Sequence, residues 1–290
     1  MASKKRIPPL PLEEIERLLV RSDPIIKRHA ATVHIESDFI YSGVYATSFG
    51  YEGILTAGHC ANEFLAADHI ALSVSDERHQ LWVKPTAFEH VRIGYDEFEG
   101  YTSSGPDLSF AIIRDQKLLR IIKTQNHEFY DLDYHSTKVK EVFTPDMHNI
   151  NWAVEGNPGE KIEVKKETVD GKEQTTIFTT AALVQGNLAG YQLREPFDYV
   201  TILVGSGFDA FPASYKGISG GGIWYQRFVS TDGKTYDVEP ILAGVAVWQS
   251  EKPTVRKGYK VRTVTGHGWV SVYGHVRLAL AEKRSSKGSF

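Results

Sequence analysis

The sequence predicts an all-β fold of two antiparallel β-barrels, with an N-terminal helical extension over residues 1–30 and a C-terminal helix and tail over residues 272–290. Two observations predict it. From Ala31 onward the chain breaks into short runs of β-branched and aromatic residues punctuated by Gly, Asp and Ser, which is the signature of strands joined by tight turns. The runs also fall into two groups, 31–123 and 138–271, on either side of a polar stretch at 124–137. Each group holds enough short strands to close on itself and so hide its edges.

Before the strands, Leu12 to Arg28 places Ile15, Leu18, Leu19, Ile25 and Ile26 among charges at a helical period, interrupted at Ser22-Asp23-Pro24. One or two short helices are expected there. The first group of strands reads Thr32 to Ile35, Tyr41 to Phe49, Gly53 to Thr56, Ile70 to Val74, Leu81 to Thr86 and Leu108 to Ile113, with a turn at Gly50-Tyr51-Glu52-Gly53. The stretch 124–137 reads as a linker; it carries His127, Asp131, Asp133 and His135, but metal ligands must converge and a polar linker needs no metal. The second group reads Val139 to Phe143, Trp152 to Val154, Lys161 to Lys165, Thr175 to Val184, Tyr199 to Val204, Gly222 to Phe228, Tyr236 to Trp248 and Tyr259 to Val264. Asp170-Gly171 and Asp232-Gly233 read as hairpin turns, and Gln185 to Gly190 and Gly205-Ser206-Gly207 as loops. Val272 to Lys283 is an amphipathic run that reads as the final helix. No repeat at a fixed period occurs.

Chemistry concentrates at three places. Ser219 lies in Gly217-Ile218-Ser219-Gly220-Gly221-Gly222, a glycine-rich turn, and His59 follows an apolar strand in Leu55-Thr56-Ala57-Gly58-His59-Cys60. A serine hydroxyl attacks a carbonyl only with a base to take its proton, and the resulting oxyanion needs backbone N–H donors that flanking glycines are free to aim. Asp107 opens the apolar strand of Gly105-Pro106-Asp107-Leu108-Ser109-Phe110-Ala111-Ile112-Ile113, 48 residues after His59. Asp96 and Asp115 fit less well: the first sits in an acidic, Gly-flanked stretch and the second follows the strand instead of opening it.

In the order His, Asp, Ser these motifs resemble those of the chymotrypsin/trypsin-like serine peptidases, over roughly Ala31 to Lys283. The resemblance implies two six-stranded barrels of the chymotrypsin type and a catalytic triad of His59, Asp107 and Ser219, the acid holding the imidazole in the tautomer that accepts the serine proton. It implies an oxyanion hole made by the N–H groups of Gly217 and Ser219. It puts the pocket base at Ala213 and one pocket wall at Val247, Trp248 and Gln249. Neither Ala213 nor Val247 offers a buried carboxylate for a Lys or Arg side chain, so a neutral residue is expected at the cleavage site. Many zymogens of the family carry an aspartate just before the nucleophile to pair with a cut N-terminus; Ile218 stands here, so that ion pair is excluded. The hole is then either preformed or ordered by substrate or partner.

The 290 residues carry 33 basic and 36 acidic side chains, a formal −3, with no basic stripe that would track a phosphate backbone; Lys283, Arg284 and Lys287 read as a solvated tail. Nucleic acid is not expected as a partner. No run of about 20 apolar residues occurs, so no membrane span is expected. Cys60 is the only cysteine, and the basic N-terminus lacks a signal-peptide core; a cytoplasmic setting is expected, with Cys60 a buried packing residue. As a neighbour of His59 on a strand end it is not expected to act as a nucleophile. The expected partners are a polypeptide substrate and a regulatory or activating protein, with no cofactor and no metal. A catalytically silent scaffold that binds a protein is the alternative. An α/β-hydrolase esterase, with His267 or His275 as base, fits the Gly-x-Ser-x-Gly pattern but not the strand-rich chain.

Overall fold

The computed structural model describes residues 10–287, apart from 36–38, 74–79, 94–105, 143–149, 160–161, 170–171, 180, 208–210, 231 and 233–234. The chain starts in helix α1 (Leu12–Lys27), which runs unbroken through Pro24. Packing overrides the local break: Leu18 is fully buried with Phe228 and Val238, and buried Ser22 donates to Leu19 O while accepting from Gln226 Nε2.

Eight strands form the first sheet: β1 (Ala30–Ile35), β2 (Phe39–Ser48), β3 (Tyr51–Thr56), β4 (Ile70–Ser73), β5 (Gln80–Val83), β6 (Phe88–Ile93), β7 (Leu108–Ile113) and β8 (Tyr130–Asp131). Their order is β5-β4-β1-β2-β3-β7-β6, with β8 parallel to β2. The second sheet has seven strands, β9 (Ile150–Gly156), β12 (Ala182–Arg194), β13 (Phe197–Gly205), β14 (Gly222–Val229), β15 (Asp237–Gln249), β16 (Thr254–Arg256) and β17 (Tyr259–His267), in the order β13-β12-β9-β14-β15-β17-β16. β13 also pairs with β17. A separate two-stranded ribbon joins β10 (Ile162–Val169) and β11 (Lys172–Thr179). The predicted turn Asp170-Gly171 and Gly233 of the other predicted turn lie outside the described residues.

Two six-stranded barrels of the chymotrypsin type are therefore not what this chain forms. It forms two curled antiparallel sheets of eight and seven strands. In the first, β5 and β6 are not paired with each other among the described residues. The tight turn Pro85–Ala87 runs from one to the other, Pro85 has no N–H to give a ladder, and β6 pairs with β7 instead. In the second, β16 adds an outer strand beyond β17.

Helices fill the connections. After β3 the chain turns into α2 (Gly58–Ala66), so His59 and Cys60 sit in a first helical turn and not on a strand end. α3 (Gln116–Thr124) is capped by Asp115, whose Oδ1 accepts from Lys117 N at 2.8 Å and Leu118 N at 3.2 Å. Where a linker followed by a strand was expected, α4 (Leu132–Val142) forms: Asp131 Oδ1 accepts from Tyr134 N at 2.9 Å, and Leu132 and Val139 are buried seven residues apart on one face. A wide turn of helix, Ser271–Val276, leads into α5 (Arg277–Lys287), which lies back on the first sheet through the Lys283–Glu89 ion pair and Arg284 Nη1 to Phe49 O at 3.1 Å. No described helix is long and apolar enough to cross a membrane.

Candidate active site

The two sheets meet where three loops converge, and the chemistry-bearing residues lie on those loops. The end of β3 delivers Ala57 in an extended conformation and α2 begins at once, which turns His59 across the seam. Asp107 stands one residue before β7. Its Oδ2 is 2.6 Å from His59 Nδ1 and its Oδ1 accepts the His59 backbone N–H at 2.7 Å, so one carboxylate grips both ends of the residue and caps the helix start. Gly58 allows this approach, since a Cβ there would meet Asp107 Oδ1 and Leu108 N. With Nδ1–H given to the carboxylate, Nε2 is the ring's remaining acceptor.

His267, which enters the sequence reading only as a candidate base of an esterase, holds the acid from behind. Its Nε2 accepts the Asp107 N–H at 2.9 Å, inside the protein, and burial pushes its pKa down to about 4, so the ring is the neutral acceptor this bond requires.

Ser219 lies in the loop between β13 and β14, and Cys60 stands between it and the imidazole: the Cys60 sulfur is 3.3 Å from His59 Nε2 and 3.5 Å from Ser219 O. The Ser219 hydroxyl itself donates to Val247 O at 2.9 Å and not to the imidazole. Cys60 was expected to diverge from His59; the helical turn brings its sulfur to the ring instead. Its thiol is buried, and burial, reinforced by the Asp107 charge, pushes its pKa well up, which keeps it an unreactive S–H.

The loop's peptide planes are individually fixed. Lys216 O accepts from Gly159 N at 2.7 Å and Ile218 O from Gly221 N at 2.9 Å. Each carbonyl belongs to the same planar unit as the next residue's N–H, so these bonds turn the N–H groups of Gly217 and Ser219 the opposite way. Neither of those two N–H groups has an acceptor among the described residues. Gly217 (φ 92°) and Gly220 (φ 89°) adopt the left-handed backbone that makes this turn possible, and a side chain on Gly220 would strike Ser42 O and Thr56 Oγ1. Gly220→Ala is expected to destabilise the fold by about 2 kcal/mol or more, read as a lowered denaturant midpoint; an unchanged midpoint would show the loop to be softer than these contacts imply.

Ser42, fully buried on β2, is the residue the sequence reading missed. Its Oγ donates to Gly217 O at 2.8 Å and accepts from Asn157 N at 2.9 Å, its N–H donates to Ser219 O at 3.2 Å, and its carbonyl accepts from Thr56 Oγ1 at 2.8 Å. One residue of the first sheet thus holds two carbonyls of the loop that belongs to the second, one through its side chain and one through its backbone N–H. Ser42→Ala leaves the buried Asn157 N–H without this acceptor and the Gly217 carbonyl without this donor, so a stability loss of about 1–3 kcal/mol is expected, read as a lowered denaturant midpoint; an unchanged midpoint would remove Ser42 from the account.

A cleft of about 540 Å³ opens beside Ser219, lined by Ser214, Tyr215, Ile218, Val247, Trp248, Gln249 and Glu251 among others. Val247 is buried and Trp248 half-exposed, its ring 5.7 Å from that of Tyr199. The Gln249 amide clamps the opposite wall, accepting from Tyr215 N at 2.8 Å and donating to Ser214 Oγ at 3.2 Å. Ala213, expected as the pocket base, is exposed, and its carbonyl is tied to Arg262 Nε at 2.7 Å. The polar residues of the expected linker do not converge: Asp133 pairs with Arg277, His135 stacks on Tyr130 at 4.3 Å, and His127 faces Arg28 O.

Beneath the loop, Glu155 is buried, with Oε2 accepting from Gly222 N at 3.3 Å, and burial pushes its pKa up to about 8. Between about 4.5 and 8 the folded chain therefore holds a proton that the unfolded chain has lost, and this group's stabilisation declines as pH rises through that window. His34, His90, His135 and His267, each pushed down from 6.5 to about 4 by burial, act with the opposite sign: the unfolded chain binds more protons, and stability is lost as pH falls from about 6.5 towards 4. Glu155→Gln is expected to flatten the alkaline side alone, seen as a smaller drop in denaturant midpoint between about pH 5 and 8 than in the wild type. An equal drop in both proteins would show that Glu155 does not titrate in this window.

No family model matches the chain, and neither does any curated protein. Solved structures similar to it include the protease Anisep from Arthrobacter nicotinovorans, at 13% identity and a TM-score of 0.40 over 88% of this chain and 96% of that one. Another is the thermostable serine protease AL20 from an extremophilic microorganism, at 12% identity and a TM-score of 0.42 over 87% of this chain and 96% of that one.

Proposed function

We propose that the chain is a serine endopeptidase that cuts next to a neutral, apolar side chain through an acyl-enzyme on Ser219. The observation that carries this reading is the double grip of Asp107 on His59, 2.6 Å at the ring and 2.7 Å at the backbone, with Cys60 linking that histidine to a serine whose own N–H and that of Gly217 have no acceptor among the described residues. A carboxylate so placed fixes the tautomer in which Nε2 accepts a proton and stabilises the imidazolium that forms. In the cycle, Ser219 Oγ leaves Val247 O by rotating about its Cα–Cβ bond, gives its proton to His59 Nε2 and attacks the substrate carbonyl. The N–H groups of Gly217 and Ser219 receive the oxyanion. His59 then protonates the leaving amine, and water, activated by the same ring, releases the acid. The apolar cleft wall of Ile218, Tyr215 and Val247 favours a neutral side chain, Glu251 being exposed at its rim.

A second reading is a latent or silent scaffold, favoured by the Ser219 hydroxyl's bond to Val247 O and by the Cys60 sulfur at His59 Nε2. A fluorophosphonate probe separates the two. The peptidase reading expects one adduct per chain, mapped to Ser219 by mass spectrometry and lost in His59→Ala; an unlabelled wild type would favour the scaffold.

A further inference from the structure

Beside the cleft a hairpin leaves the second sheet. β16 pairs with the start of β17 in the register Thr254↔Val261, Val255↔Lys260 and Arg256↔Tyr259, around Lys257-Gly258, both with positive φ (49° and 83°) as a two-residue turn requires. Residues 251–260 are all exposed, with Val255 at 72% and Tyr259 at 62%. Lys252, Arg256, Lys257 and Lys260 have no carboxylate partner among the described residues, a concentration of free positive charge in a chain of formal net charge −3. Three-residue strands that cover no core gain little from folding on their own account.

The hairpin is nonetheless rooted in the cleft. Arg262 donates to Ala213 O at 2.7 Å, to Glu251 O at 2.8 Å and to Ser250 O, so it ties the hairpin's base to Glu251 of the cleft and to the residue before Ser214. Lys260 lies two residues before Arg262 and hence on the same face of β17, and Val255 is its direct cross-strand neighbour. The face that begins at the cleft wall with Arg262 thus continues outward as Lys260 and Val255, with Arg256 and Tyr259 on its reverse and Lys252 at its foot.

We infer that this hairpin captures an acidic segment of the polypeptide substrate adjoining the residue held in the cleft, a reading that rests on the proposed peptidase function. Lysine and arginine heads meet Asp and Glu carboxylates, while Val255 beside Lys260 on one face and Tyr259 beside Arg256 on the other each offer apolar surface to a neighbouring side chain. Each exposed pair contributes little alone and is screened by salt, so the preference arises from several cations acting together and collapses as ionic strength rises. A polypeptide suits the site better than a nucleic acid because the positive charge is confined to one short hairpin, on both its faces, beside a peptide-sized cleft.

The test uses the full chain and two fluorogenic peptides with one cleavage sequence, one extended by an Asp/Glu segment and the other by a Ser/Asn segment. The wild type is expected to favour the acidic peptide in kcat/KM on the order of tenfold at low salt, and to lose the preference in about 1 M salt, where the Debye length is ~3 Å. The variant Lys252→Gln/Arg256→Gln/Lys260→Gln, which leaves the turn intact, is expected to lose the preference while its kcat on the Ser/Asn peptide is unchanged. Equal cleavage of both peptides by the wild type, or a preference that survives in the variant, would overturn the inference. Fluorescence anisotropy with Ser219→Ala reads the hairpin independently of catalysis: tighter binding of the acidic peptide supports it even if neither peptide is cut, whereas an oligonucleotide of equal charge binding as well would contradict it.

Discussion

On the proposed peptidase reading, Ser219→Ala is expected to lower kcat by about 10⁶-fold, the scale on which a triad loses its nucleophile, and to leave the fold intact. Among the described residues the hydroxyl makes one hydrogen bond, to Val247 O at 2.9 Å, so its removal is expected to cost about 1 kcal/mol of stability. The loop around it is held by other atoms: Ser42 N on Ser219 O, Ser42 Oγ on Gly217 O and Gly221 N on Ile218 O all survive the substitution. Substrate binding in the cleft is likewise untouched, so KM changes little. Single-turnover hydrolysis beside thermal unfolding checks both halves. Residual activity within tenfold of wild type in a folded variant would mean that some other group attacks the substrate.

On the same reading, Asp107→Asn is expected to lower kcat by about 10⁴-fold, for a reason visible in the double grip. The carboxylate accepts twice, from the His59 backbone N–H and from its ring Nδ1. An amide has one oxygen. If that oxygen keeps the backbone N–H, its NH₂ faces Nδ1, and the ring must carry its proton on Nε2, where it cannot accept from Ser219. Because His267 holds the residue through the backbone N–H of position 107, the variant stays in place, and the loss appears in kcat with the unfolding midpoint little altered. A folded variant with kcat within tenfold of wild type would show that the tautomer is not set by Asp107.

The parts of this site that were legible in the sequence are those whose chemistry constrains their own neighbours. Ser219 needs glycines that tolerate positive φ, and Asp107 opens a strand of six buried residues, so each left a local mark. Ser42 left none. It is an ordinary serine in an apolar strand, and its role comes from a contact across 175 positions of chain that only the folded molecule supplies. His267 was similarly opaque, because a buried acceptor for a backbone N–H looks in sequence like any histidine at a strand end. The strand β6 was missed because Glu89, His90 and Arg92 dilute its apolar positions, and α4 was misread because its short buried stripe is flanked by the polar residues that suggested a linker. Closure of the sheets depends on what their end strands meet, and Pro85 gave too little warning that β5 and β6 remain apart.

In the proposed cycle Ser219 exchanges its bond to Val247 O for one to His59 before it reacts, which makes the geometry of a trapped complex the sharpest test. A crystal structure with a peptide boronic acid is expected to show boron bonded to Ser219 Oγ, the oxygen released from Val247 O, one boronate oxygen within hydrogen-bonding distance of both Gly217 N and Ser219 N, and His59 Nε2 facing the adduct. An inhibitor bound elsewhere, or a Ser219 hydroxyl still donating to Val247 O with the cleft occupied, would contradict the account.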